Sequence, residues 1–209
     1  MTATPQARPA STRLPRPARR RQLLGAARDV FVAQGYHAAA MDEIAERAGV
    51  SKPVLYQHFP GKLELYLALL DESVADLHRS LSEALISTED NKQRVTATFR
   101  AFFRYVASGG EAFRLVFESD LSNEPAVRDR LGHAMQDVAD LVSQFIHEGA
   151  GLGEGEAHLL GMALVGMAQV TARYWLTTMD QAIPQEEAEQ LIARLAWRGI
   201  SGWPPSGQA

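Results

Sequence analysis

From Arg19 onward apolar residues recur three and four positions apart, and strand-like alternation never persists. This pattern predicts an all-α chain punctuated by glycine and proline. Leu23, Leu24, Ala27, Val30 and Phe31 make one face of a first helix over 17–34, and Gly35 is placed to end it by taking the left-handed conformation. A short second helix over 41–48 turns Ile44, Ala45 and Ala48 inward and stops at Gly49. Ser51 is placed to cap a third helix over 52–58 with its hydroxyl, while Pro53 falls in the first turn, where a missing N–H costs little. Pro60 and Gly61 interrupt the chain before a long fourth helix over 62–85. Five more are expected over 91–107, 110–119, 123–149, 153–179 and 184–199, about nine in all.

The same punctuation divides the chain into parts. Residues 1–18 hold Pro, Arg, Thr and Ala with almost no large apolar side chain, and read as a disordered basic tail. A three-helix unit follows over 19–62, a helical body over 63–202 and a flexible end over 203–209.

Charge sharpens the division. The net charge of −4 conceals ten Lys/Arg against four Asp/Glu in residues 1–62, and eleven against 21 in residues 63–209. A basic front on an acidic body suggests a front that meets a polyanion. The tail alone does not account for the excess, because Arg28, Arg47, Lys52 and Lys62 lie in patterned segments. Cysteine is absent, which excludes disulfides and thiolate metal sites and fits a cytoplasmic location. The most apolar stretch, 159–175, is interrupted by Gln169, Thr171 and Arg173, so it reads as a buried helix and not a membrane span. Four prolines in the first 17 residues argue against a transit peptide, which needs an amphipathic helix.

Two short helices joined through Ala48-Gly49-Val50-Ser51, behind a supporting helix, form a helix-turn-helix. Ile44, Ala45, Ala48, Val50 and Leu55 supply the small core that fixes their angle, so that the third helix is held out toward a major groove. The detailed string is more specific. Ile44-Ala45, Ala48-Gly49-Val50-Ser51, Leu55-Tyr56 and His58-Phe59, then Lys62 and Leu65, with Ala27, Phe31, Gly35 and Tyr36 upstream, resemble the N-terminal domain of the tetracycline-repressor (TetR) family over residues 19–70.

The resemblance implies a DNA-binding domain followed by an α-helical ligand-binding and dimerisation domain. By position, Lys52, Pro53 and Val54 would lie at the start of the recognition helix after Ser51, and Gln57 would read a base. Tyr56, His58 and Lys62 would hold phosphate oxygens, and Arg19, Arg20 and Arg21 would lie beside the DNA backbone. One departure stands out. The family usually has Thr or Ser before its second helix, and here Ala40 offers neither cap nor phosphate contact.

In the acidic body, Phe99, Phe102 and Phe103 form one stripe, and Phe113 and Phe117 belong to another. The resemblance places an apolar ligand cavity among them, with His133, Gln136, Gln169 and Arg173 as candidate polar anchors for a small apolar or amphipathic ligand. His133 and Asp137 stand four apart and could share a metal, but a lone pair at that spacing is far more often an ordinary surface or core pair, and no metal or other cofactor is expected. Ala163, Gly166 and Val170, with Leu191 and Leu195, resemble the family's dimerising four-helix interface. The expected partners are therefore a palindromic double-stranded operator, a second copy of the chain and a ligand, with no membrane. The expected mechanism is repression relieved when the ligand changes the separation of two recognition helices. No nucleophile elbow, phosphate-binding glycine loop or clustered His/Asp/Glu points to an enzyme. A nonspecific architectural DNA binder and a regulator without a small-molecule ligand stay open as alternatives.

Overall fold

The computed structural model describes residues 14–108, 121, 124–179 and 182–201. Among them the secondary structure is entirely helical. The helices are α1 (Arg16–Ala38), α2 (Met41–Arg47), α3 (Lys52–His58), α4 (Lys62–Ile86), α5 (Asn91–Ser108), α6 (Pro125–Ala150), α7 (Glu154–Tyr174) and α8 (Gln185–Ser201). A π-helical turn, Trp175–Met179, continues α7. The expected helix over 110–119, most of the N-terminal tail and the C-terminal end lie outside the described residues. None of the described helices is long and apolar enough to cross a membrane.

Gly35 interrupts α1 at φ 77°, so the regular part ends where the periodicity ends, and a last turn leads through Ala39 into α2. Two apolar clusters then form. The first joins Leu23, Ala27 and Phe31 of α1, Ile44 of α2, Leu55 of α3 and the first half of α4 through Leu70, and it takes in Leu121 and, at the start of α6, Val127. The second joins Leu77, Leu81 and Leu85 of α4 to α5, α6, α7 and α8. On α4 the divide falls just past Ser73, which is buried: Val74 still packs on the first cluster and Leu77 belongs to the second. The Ser73 hydroxyl donates to the Leu69 carbonyl at 3.0 Å, and the Ser73 carbonyl accepts from the Tyr105 hydroxyl at 2.9 Å.

That tie is sensitive to alkali. Burial, reinforced by Asp76, pushes the Tyr105 phenol up to about 12, against a small opposing effect of Arg28. Between its ordinary value of 10.0 and about 12, an unfolded chain has lost the phenolic proton and the folded chain keeps it. Stability therefore falls as pH rises through that window. Urea unfolding at about pH 9 and about pH 11 should show this loss in the wild type, and a smaller one in Tyr105→Phe.

In the second cluster, α6 and α7 cross with their backbones close. A Cβ on Gly161 of α7 would stand 2.7 Å from the Ala139 carbonyl oxygen of α6. At Gly166, expected at a dimer interface, an added Cβ meets nothing within 4 Å in the single chain. Close approach within the subunit therefore depends on Gly161.

Candidate nucleic-acid interface and effector cavity

The angle between α2 and α3 is set by a buried knot. Ile44, Ala45, Leu55 and Phe59 are all buried, and Gly49 turns the chain at φ 64° so that the Val50 N–H reaches the Ala45 carbonyl at 3.0 Å. With Leu55 pinned inward, α3 exposes Ser51, Lys52, Pro53, Tyr56 and Gln57, and leaves Val54 and His58 half-buried. The predicted base-facing side chains thus share the free surface of one short helix.

Two local expectations need correction. Ser51 stands at the N-cap position, but its hydroxyl caps nothing. The second helical position is Pro53, which has no N–H, and the third, Val54, already donates to the Ser51 backbone carbonyl at 3.0 Å. Lys52 keeps its place on the exposed face, where its ammonium pairs with Asp42 of α2, both side chains well exposed. Lys62 does not face outward as a phosphate contact. Its ammonium donates to the carbonyls of Tyr36 at 2.8 Å, His37 at 3.2 Å and Ala39 at 2.9 Å, and lies 4.5 Å from the Tyr36 ring centre. Three protons meet three carbonyls, so Lys62 ties the start of α4 to the α1–α2 turn.

The start of α1 brings cations beside the end of α3. The Arg20 guanidinium sits 4.5 Å over the Phe59 ring, and Arg19 donates to Gln22 at 2.7 Å. Burial, then the charges of Arg16, Arg20 and Arg19, hold His58 below its ordinary value. Arg20 and Arg21 are exposed. Ala40 precedes α2 with no side-chain cap, and Asp42 and Glu43 fill its first turn. Gln22 reaches the Ala48 carbonyl at 2.8 Å and Arg47 clasps Asp29 at 3.0 Å, so both hold α2 against α1.

In the other half, an apolar cavity of about 270 Å³ opens between α4, α5, α6 and α7, with Trp197 of α8 at its side. Phe99 and Phe102 line it as expected, beside Leu81, Leu85, Val138 and Val142. Phe113 and Phe117 lie outside the described residues. The other candidates do not line it. Phe103 is fully buried and packs on Trp175 at 5.8 Å between ring centres. His133 and Gln136 are exposed, because the inward row of α6 is Ala134, Val138 and Val142. The inward row of α7 is Val165, Ala168 and Ala172, which leaves Gln169 half-buried and Arg173 exposed. Asp137 is exposed beside His133, and no group of three or more potential metal-binding residues occurs among the described residues.

The polar groups at the cavity are Asn91, Arg94 and Thr98, all on α5. The signal was present in the sequence: they share the helical row of Val95, Phe99 and Phe102. Arg94 donates to the carbonyls of Leu85 at 2.8 Å and Thr88 at 2.9 Å, bonds Asn91, and stacks 4.8 Å from the Phe145 ring centre.

Along the outer face of α7, Leu159 (71% exposed), Met162, Val170 (67%) and Tyr174 (54%) form an apolar stripe, with Leu191 (43%) and Leu195 (59%) beside it on α8. Ala163 is exposed and Gly166 half-buried along the same stretch.

Comparison with known proteins gives concordant results. The family model described as "Bacterial regulatory proteins, tetR family" matches residues 23–69. The HTH-type transcriptional activator FasR of Mycolicibacterium smegmatis is 46% identical over 192 residues, covering 92% of this chain and 87% of that protein. A TetR-like transcriptional regulator from Rhodococcus sp. RHA1 superposes with a TM-score of 0.71 at 26% identity, over 91% of this chain and 100% of that one. The Bacillus subtilis transcriptional regulator FadR, solved in complex with stearoyl-CoA, shares the fold at 19% identity and a TM-score of 0.67, over 90% and 99% of the two chains.

Proposed function

Because the chain belongs to the tetR family of bacterial regulatory proteins, which are transcriptional regulators, we propose that it binds a palindromic operator as a homodimer and leaves it when an acyl ligand fills the effector cavity. The observation that carries this reading is that α4 lines the cavity with Leu81 and Leu85 and also supplies Leu65, Leu69 and Leu70 to the DNA-binding core. One rigid helix thus joins the two sites. Lys52, Pro53, Tyr56 and Gln57 meet the bases and phosphates, with Gln57 able to pair in two ways with an adenine. Arg20, Arg21 and the half-buried His58 lie along the backbone.

The exposed stripe on α7 and α8 supports the dimer, since soluble monomers seldom leave so much contiguous apolar surface in water. A cavity of about 270 Å³ with mostly apolar walls suits a hydrocarbon chain. FadR was solved with stearoyl-CoA, and that agreement in ligand class supports an acyl group. The FasR relative is a transcriptional activator, and we assign this chain the same sign in place of the repression expected from the family resemblance.

Selection of bound duplexes from a random pool, in moderate salt with excess competitor, tests the reading. Enrichment of an inverted repeat is the expected result, followed by its release on titration with palmitoyl-CoA. A folded protein that enriches no sequence would overturn the operator, and a repeat indifferent to every acyl ligand would overturn the switch. The same repeat gives a further measurement. Asp42→Asn frees Lys52 and removes a carboxylate from the DNA-facing side, so operator affinity should rise, by up to about fivefold given the small worth of an exposed pair.

A further inference from the structure

We propose that Arg94 is the group through which the ligand's oxygen-bearing end pulls on α4. The proposal rests on the cavity being the ligand site. Arg94 is the one cationic side chain lining that cavity among the described residues. The same guanidinium holds the far end of α4, because the Leu85 carbonyl belongs to the helix's last turn, where carbonyls have no partner within the helix. The Thr88 carbonyl, just beyond, is the second acceptor. Arg94 is only half-buried, and its flat face lies on Phe145, another wall of the cavity.

One side chain therefore serves two sets of acceptors. An acyl chain lying among Phe99, Phe102 and Val142, with its first carbon toward Asn91 and Arg94, offers oxygen atoms to the N–H groups that now cap α4. A carboxylate is the stronger competitor, because a guanidinium binds it with two parallel, charge-assisted bonds, whereas the helix offers neutral carbonyls. A thioester carbonyl competes as a single acceptor, and a primary alcohol least of all. As Arg94 turns toward the ligand, the last turn of α4 and residues 87–90 lose their clamp. The opposite end of α4 is tied by Lys62 to the α1–α2 turn, so a change in the tilt of α4 is passed through that tie to the DNA-binding half. Arg94 is thus a positioning residue that selects the ligand by its end group, while the apolar walls select the chain.

The test uses the full-length protein with its selected operator and three probes carrying the same chain: palmitate, palmitoyl-CoA and hexadecanol. Binding is read by quenching of tryptophan emission, since Trp197 lines the cavity. Coupling is read as the shift in operator affinity, and the clamp as amide hydrogen exchange over residues 86–90. The expected result is that all three bind, but only the two acyl probes weaken operator binding, palmitate more than palmitoyl-CoA, and these two speed exchange over residues 86–90. Arg94→Gln should bind the acyl probes and lose most of the affinity shift. Arg94→Lys, which keeps the charge without the fork, should recover part of the palmitate response. If hexadecanol released DNA as well as palmitate, or if ligand slowed exchange over residues 86–90 while releasing DNA, the proposal would be overturned with the ligand reading intact. If none of the probes quenched tryptophan, both would fall together.

Discussion

Leu55→Ala is expected to abolish operator binding by loosening the DNA-binding half, although the side chain touches no DNA. Leu55 is fully buried and is the residue by which α3, seven residues long, is held to the rest of the domain. A leucine-to-alanine change in a packed core costs about 2–5 kcal/mol, the lost transfer energy adding to the cavity left behind. Against a total stability of roughly 5–15 kcal/mol that is a large fraction. The second cluster does not include Leu55, so helical content from α5 to α8 should survive. Circular dichroism melting with limited proteolysis checks this: cleavage within residues 40–60 should become rapid while the body resists. Wild-type operator affinity together with an unchanged melting curve would show that α3 is held by something other than this contact.

The second large effect lies at the opposite end of the molecule. Val170→Glu combined with Leu195→Glu should convert a dimer to a monomer and lower operator affinity on the order of 10²–10⁴-fold, the gain that joining two binding modules confers. Both side chains are more than half exposed in the single chain, so the charges need not disturb its core. Sedimentation and melting measured together separate the effects. A folded monomer with weak binding is the expected result, whereas an unchanged dimer would place the interface elsewhere.

The helices were legible because their signals are local. The punctuation at Gly49 and Pro60-Gly61 fixes α2, α3 and α4 within a residue, and Gly35 marks the kink in α1, which runs on to Ala38. The exposed face of α3 followed for the same reason. The errors arose where a side chain's role depends on a partner distant in sequence. Lys62 lies 26 residues from Tyr36, whose carbonyl it holds, and no spacing rule links them. Gly161 matters because of Ala139 on another helix, which no pattern within α7 reveals. Ser51 is the local exception: it carries the right residue type for a cap, but Pro53, two residues on, removes one of the donors it needs. The cavity's polar end was readable on α5 but was sought on α6 and α7, since a polar residue near aromatic ones in sequence need not share their side of a helix.

The buried divide at Ser73 bears on how such a regulator can be rebuilt. With the chain's apolar contacts gathered into two clusters, the ligand-responsive half is exchangeable in principle, and a chimera joined within α4 would pair this recognition helix with another protein's sensor. The seam is not a clean cut, however. Val127 and the half-buried Leu131, on the sensor side in sequence, pack into the DNA-binding cluster. A graft made at Ser73 alone would therefore leave a hole in the DNA-binding cluster, and a working exchange has to carry the first two turns of α6 with the DNA-binding half.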